Sequence, residues 1–246
     1  NQFKELKDYS EKLNIDFFVT PFSKKEVDFI VDVLKVKFIK VASMDVNNYE
    51  FLEYISKKGK PIVLSTGLSN LSEIDEAIRK IEFSGNNKII VLHCVANYPP
   101  KDGDINLNNI QMLKNLYNYP IGFSDHTIGT SIPLAAIAKG ACVIEKHFTL
   151  DKKMEGWDHA ISADPSDMQI LTRESQRIYK ALGTSRKVQV EGKEKINSFR
   201  RSLVAAQNIR KGQKFTEELI DCKRPGWGLP PSAKKYLIGK AAKRDI

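Results

Sequence analysis

Short, nearly continuous apolar runs alternate with longer stretches of helical period through the first three quarters of the chain, and this alternation most narrows what it can fold into. The apolar runs are 16–21 (DFFVTP), 37–43 (KFIKVAS), 61–66 (PIVLST), 88–94 (KIIVLHC), 120–126 (PIGFSDH) and 142–148 (CVIEKHF). Helical stretches follow at 24–36, 47–58, 70–83, 107–118, 131–140 and 165–182. Ser72 in "SNLSEIDEAI" reads as a helix cap, and Asp164 before Pro165 in "ADPSDM" reads as the start of a first turn. Strands without polar alternation belong in a parallel sheet covered on both faces. The expected class is therefore α/β, a (β/α)8 TIM barrel with about six β/α units present. The chain opens without Met and in mid-helix rhythm, so the first two units are expected to precede Asn1.

After Leu182 the period is lost. The expected organisation is a barrel domain over 1–183, a polar linker over 184–196 and a small module over 197–246. That module reads as short strands, Gly and Pro turns and one or two short helices, too small to be stable by itself. It stops early, at "GKAAKRDI", and the chain as given is expected to have poor independent stability.

The net charge of +9 is spread over many helix faces, with no basic block interleaved with aromatics, and is read as a solvated surface rather than a nucleic-acid interface. No apolar run has the length of a bilayer span, and the charged N-terminus has no signal-peptide core, so a cytoplasmic protein without membrane partners is expected. The three cysteines lack paired metal-ligand spacing. Cys94 and Cys142 fall in apolar runs, where a buried reduced thiol is the usual occupant, and no disulfide is expected.

Barrel chemistry sits at the C-terminal ends of the strands. That rule selects Thr20, Lys40, Ser43, Ser65, Thr66, His93, Asn97, Tyr98, Ser124, Asp125, His126, Glu145 and His147 as facing one cavity. Of only four histidines, His126 and His147 end neighbouring runs, the placement of two ligands of one divalent ion with open positions left for substrate. The alternative is two hydrogen-bonded strand-end residues. Glu145 would orient a ligand or move a proton. Lys40, Ser43, Ser65 and Ser124 form a donor set suited to a phosphate, although any one of these serines by itself reads as a solvated turn residue. Asp158 and His159, in a loop beside Trp157, offer a carboxylate to sugar hydroxyls. Arg224 in "KRPGWGLPP" is either a surface residue or a fork presented to a ligand.

The segments "PFSKKEV", "IKVAS", "KPIVLSTGLSNLSEI", "GFSDHTIG", "AIAKGACVIEKHFTLDKKMEGWDHAISADPSDM" and "KRPGWGL" resemble the sialic acid synthase family. Its members are the N-acetylneuraminate synthases and their legionaminate and pseudaminate relatives. The likeness covers nearly the whole chain, and its C-terminal part resembles an antifreeze-like (SAF) domain. The resemblance implies condensation of phosphoenolpyruvate with an N-acylated hexosamine and water, giving a nine-carbon 2-keto sugar acid and phosphate. It implies a divalent metal on His126 and His147, most often Mn2+, with Mg2+ or Co2+ as alternatives, and Glu145 as an active-site carboxylate. Phosphoenolpyruvate contacts map onto Thr20, Lys40, Ser43, Ser65, Tyr98 and Ser124. Asn97 is added to them, beside Ala96 where some relatives have Asn. Asp158 maps onto a sugar contact, and Arg224 onto the arginine that one subunit inserts into the other's barrel, so a domain-swapped homodimer is implied.

Two other readings stay open at this point: another phosphoenolpyruvate-dependent keto-sugar-acid synthase, and a non-catalytic saccharide-binding protein. Intact metal binding at His126 and His147 separates the latter from both synthases. The acceptor is N-acetylmannosamine, its 6-phosphate or a diacetamido hexose, and a lysine- and asparagine-rich composition favours the unphosphorylated sugars.

Overall fold

Apolar strands pair in parallel only when something covers both faces, and here helices cover one. In the computed structural model, which describes residues 2–187, 189–224 and 227–246, a parallel sheet runs in the order β1 (Ile39–Val41), β2 (Ile62–Ser65), β3 (Ile89–Cys94), β4 (Ile121–Asp125) and β5 (Ile144–Lys146). Asn1, Val188 of the expected linker, and Pro225 and Gly226 of the "KRPGWGL" turn lie outside the described residues. The helices are α1 (Gln2–Lys12), α2 (Lys24–Asp28), α3 (Tyr49–Ser56), α4 (Leu71–Phe83), α5 (Asp102–Ile105), α6 (Asn108–Leu116), α7 (Ser131–Ala138), α8 (Pro165–Leu182), α9 (Lys193–Phe199) and α10 (Lys234–Leu237). The sheet curls into half of a barrel. The chain divides into a unit of Asn1–Gly183 and a unit of Thr184–Ile246.

Side chains alternate between the two faces of each strand, and the ladder register carries this alternation across the sheet. Ile39, Val41, Ile62, Leu64, Ile89, Val91, Ile121 and Phe123 share one face. They form the core with Leu52 and Ile55 of α3, Ile74, Ala77, Ile78 and Ile81 of α4, and Ile110 and Leu113 of α6. The other face is concave. It is apolar low down, where Val63, Ile90, Leu92 and Val143 line a cavity, and polar at the C-terminal ends of the strands.

Several local expectations are corrected. Residues 16–21 have no regular secondary structure; Phe17 and Val19 pack on the core, but no ladder hydrogen bond forms there among the described residues, so the run is not a strand. The helix expected over 24–36 begins as α2 and continues as a wider π-turn over Phe29–Val33. The cap of α4 is Asn70, not Ser72: Asn70 and Glu73 make a reciprocal capping box, each side chain accepting from the other's backbone N–H. Asp164 caps α8 with Pro165 in the first turn, as expected. Cys142 is exposed rather than buried, because it lies in the connection before β5 begins. All three cysteines are free.

In the second unit, β6 (Ser202–Ala205) pairs antiparallel with β7 (Ile220–Lys223) over a small core of Ile209, Leu219 and Ala242. The stretch read as linker runs into α9, where Ile196 and Phe199 share a face. Among the described residues no helix is long and apolar enough to cross a membrane.

Gly122 marks the tightest point of the sheet. A Cβ there would stand 2.5 Å from Leu92 Cδ2 and 2.7 Å from the Val143 carbonyl oxygen. The second is backbone and cannot rotate away. Gly122→Ala is therefore expected to lower stability by about 1–3 kcal/mol, read as a lower urea midpoint at unchanged slope.

Candidate active site

The concave face supplies one inward residue near the top of each strand: Lys40 from β1, Ser65 from β2, Cys94 from β3, Ser124 from β4 and Glu145 from β5. They line a cavity of about 480 Å³ with Thr20, Ser43, Tyr98, His126 and His147. Phe22, Met44, Leu68, Asp125 and Lys146 are also in its lining.

Lys40 is only 5% exposed. Its ammonium donates to the Val41 carbonyl oxygen at 2.9 Å and lies 3.6 Å from Glu145 Oε2. Burial pushes its pKa below the ordinary lysine value, and the Glu145 carboxylate opposes that shift. The other oxygen of Glu145 accepts a hydrogen bond from Ser124 Oγ at 2.7 Å. Ser43 Oγ accepts from the Gly67 N–H at 3.0 Å and lies 3.7 Å from Cys94 Sγ. A Cβ on Gly67 would come within 2.8 Å of Ser43 Oγ, so this approach requires glycine. Burial raises the pKa of the Cys94 thiol, which keeps it protonated and unreactive. Ser65 Oγ is buried without a hydrogen-bond partner among the described residues. A buried hydroxyl rarely goes unpaired, and one in the wall of a polar cavity is free to donate into it.

His126 and His147 follow β4 and β5 with ring centres 5.3 Å apart. His126 Nδ1 lies 3.0 Å from the Val95 carbonyl oxygen. A carbonyl can only accept, so the proton sits on Nδ1 and Nε2 keeps its lone pair. Burial lowers the His126 pKa, with nearby His147 adding to the effect, which favours the neutral, ligating form. His147 Nδ1 lies 3.7 Å from Asp158 Oδ2. The Tyr98 ring covers the pair, 4.1 Å from His126 and 5.7 Å from His147.

This donor set fits a divalent ion. Imidazoles bound at about 2.1 Å put their ring centres roughly 4.5–5.2 Å apart at angles between right and tetrahedral, near the observed spacing. Among the described residues no cluster of three or more His, Cys, Asp or Glu side chains could hold a metal, so two imidazoles would leave open positions for substrate and water.

Not every strand-end residue faces this cavity. His93 has the opposite parity; its Nε2 bonds the Ile105 carbonyl at 2.6 Å and its ring lies by Phe123 in the core layer. Thr66 turns its hydroxyl to the Leu92 carbonyl. Asn97 is exposed and outside the lining. Asp158 reaches the site only through His147, and His159 is bonded to the Thr149 hydroxyl. Arg224 belongs to the second unit, where its guanidinium lies 5.6 Å from the Phe199 ring. The residue that sequence reasoning passed over is Lys146. It stands between Glu145 and His147, and its cross-strand partner Asp125 was its available signal.

The profile of the NeuB family matches residues 1–187, and that of the SAF domain matches residues 200–246. A protein of Campylobacter jejuni named N,N'-diacetyllegionaminic acid synthase is 41% identical over 245 residues, covering 98% of this chain and 73% of its own length. The human protein named N-acetylneuraminate-9-phosphate synthase is 34% identical over 244 residues, covering 98% and 67%. The crystal structure of an N-acetylneuraminic acid synthetase from Leptospira borgpetersenii superposes with a TM-score of 0.75 at 40% identity, over 79% of this chain and 68% of that one. These relatives carry the names of enzymes, and the chain belongs to the NeuB family, with a SAF domain in its C-terminal part.

Proposed function

We propose that this site condenses phosphoenolpyruvate with the open aldehyde form of an N-acylated hexosamine, giving a nine-carbon 2-keto sugar acid and inorganic phosphate. The carrying observation is the convergence of a buried ammonium, an unpartnered serine hydroxyl and a spaced pair of imidazoles on one cavity. Relatives named as synthases of N,N'-diacetyllegionaminic acid, pseudaminic acid and N-acetylneuraminate 9-phosphate support the same reading.

In this reading Lys40, Ser43, Ser65 and Ser124 hold the charged oxygens of phosphoenolpyruvate, with Thr20 and Tyr98 completing the contact and Asn97 available from the loop. A divalent ion on His126 and His147, Mn2+ by preference, would supply Lewis acidity toward the aldehyde oxygen. Carbon 3 of phosphoenolpyruvate attacks the aldehyde carbon, the carbonyl π pair passes to its oxygen, which takes up a proton from solvent to become a hydroxyl, and positive charge develops at carbon 2. Water adds there, with the Glu145 carboxylate placed to take its proton. The bond from carbon 2 to the phosphate oxygen then breaks, leaving the ketone and free phosphate. Asp158 is assigned to the sugar hydroxyls. Arg224 is assigned to the sugar end of a partner subunit's site in a domain-swapped homodimer.

The direct test is phosphate release from phosphoenolpyruvate with Mn2+ and a panel of acceptors. Release that depends on one acceptor, and is lost in both His126→Ala and His147→Ala, is the expected result; no release with any acceptor from folded protein would sink the reading. Ser65→Ala, which removes one uncharged hydrogen bond, should raise KM for phosphoenolpyruvate by roughly 5- to 10-fold. Lys40→Met should cost about 100-fold or more in kcat/KM.

The depressed pKa of Lys40 carries a sign. The anion needs the ammonium, so kcat/KM falls on the alkaline side, through an apparent pKa below the ordinary lysine value of 10.5. A guanidinium does not deprotonate in this range, and Lys40→Arg should abolish that limb at the cost of activity. A limb unchanged in the arginine variant would remove Lys40 from the assignment.

A further inference from the structure

Asp125 and Lys146 form the most buried ion pair of the first unit. Their side chains are 0% and 3% exposed, and Lys146 Nζ lies 2.6 Å from Asp125 Oδ2. The same ammonium donates to the Thr127 carbonyl oxygen at 2.5 Å, while Asp125 Oδ1 accepts from the Thr127 N–H at 2.9 Å. The two residues are also the last register partners of β4 and β5. The residue that follows each strand is a histidine of the candidate pair.

By the period of two, the side chains of Asp125 and Lys146 turn to the other face of the sheet from Ser124, Glu145, His126 and His147, although both residues still form part of the cavity wall. Beyond this rung the β4–β5 ladder ends: the His147 carbonyl next accepts from the Ala163 N–H at 2.8 Å, and among the described residues no backbone hydrogen bond joins the two histidine-bearing segments directly. The pair supplies that constraint. One ammonium ties the β5 end to the carboxylate before His126 and to the carbonyl after it, so it grips the His126 segment on both sides.

Resting on the reading of His126 and His147 as the ligands of a divalent ion, we propose that Asp125 and Lys146 are positioning residues. They fix the separation and direction of the two imidazoles, with their charged groups spent on each other and on Thr127 rather than offered to ion or substrate. A looser clamp leaves both ligands in place but no longer preorganised, and the loss appears first as ion affinity.

The test uses the metal-free full chain, with Mn2+ alone as probe. Binding is followed by the disappearance of the free-ion EPR signal, and folding is followed by thermal melting. Lys146→Met by itself strands a buried carboxylate and risks the fold. The informative variant is therefore Asp125→Asn with Lys146→Met, which removes both charges and keeps an oxygen to accept from the Thr127 N–H. Expected are a cooperative melt and a Kd for Mn2+ raised by about 10- to 100-fold. Lys146→Arg, which keeps the cation, should recover part of that loss. Unchanged affinity in the folded double variant would overturn the proposal, as would an arginine variant as weak as the double one. A double variant that fails to fold would also overturn it, by making the pair a folding element only. Absence of Mn2+ binding by the unaltered chain would instead remove the ligand assignment itself, and the clamp with it.

Discussion

Everything at the mouth of this half-barrel depends on the register of its parallel ladders. Cys94 faces Ser124 and Ser124 faces Glu145 across the strands, and on that parity Lys40 and Ser65 turn the same way. The alternate set, Ile39 to Phe123, is locked against the helices by burial. A slip of one residue in any strand would drive Lys40 or Glu145 into the helix-facing core and expose isoleucines to the cavity. Each fully buried aliphatic side chain contributes roughly 1.5–3 kcal/mol to keeping its face inward. The hydrophobic core thus sets the site geometry, although none of its members touches a ligand.

That anchoring allows the site to hold groups that a core would not tolerate. A buried ammonium is costly even beside a carboxylate, and the Lys40–Glu145 separation of 3.6 Å is too long to recover the full cost of desolvation. Ser65 adds a hydroxyl with no partner among the described residues. Such a region is destabilising by itself, and it persists because the surrounding strands leave it no alternative arrangement. Donors fixed before the ligand arrives need no reorganisation when charge moves, which is where this expense becomes useful.

How much of this is legible in the sequence follows from what each inference rests on. Five strands, the long helices and the start of α8 were legible because each depends on local pattern. The strand-end rule also brought Lys40, Ser43, Ser65, Ser124, Glu145, His126 and His147 to one place, since it needs only the strands and their direction. It failed for His93 and Thr66, where one step of parity decides between cavity and interior. The run at 16–21 failed for another reason: a strand is defined by its partner's hydrogen bonds, and composition does not supply a partner. Asn70 took the cap from Ser72 because the box needs an acceptor three residues before Glu73, a spacing that was present but passed over. Lys146 was invisible because its meaning lies in Asp125, and only the register of β4 and β5 joins them.

The two ionic arrangements at this end of the sheet divide the work between its faces. On the concave side Lys40, Glu145 and Ser124 are loosely satisfied, with one long ion pair and spare donors, as suits groups that must exchange partners when an anion enters. On the other side Asp125 and Lys146 are more tightly engaged, with both carboxylate oxygens bonded and two of the three ammonium protons donated. Loose polar groups on a loose frame would give no defined site, and tight ones would leave nothing to bind with. Because adjacent residues on a strand point to opposite faces, Glu145 and Lys146 can carry these opposite requirements one bond apart. The parallel sheet therefore separates rigidity from reactivity within a single dipeptide, and His147, following directly, inherits its position from one and its surroundings from the other.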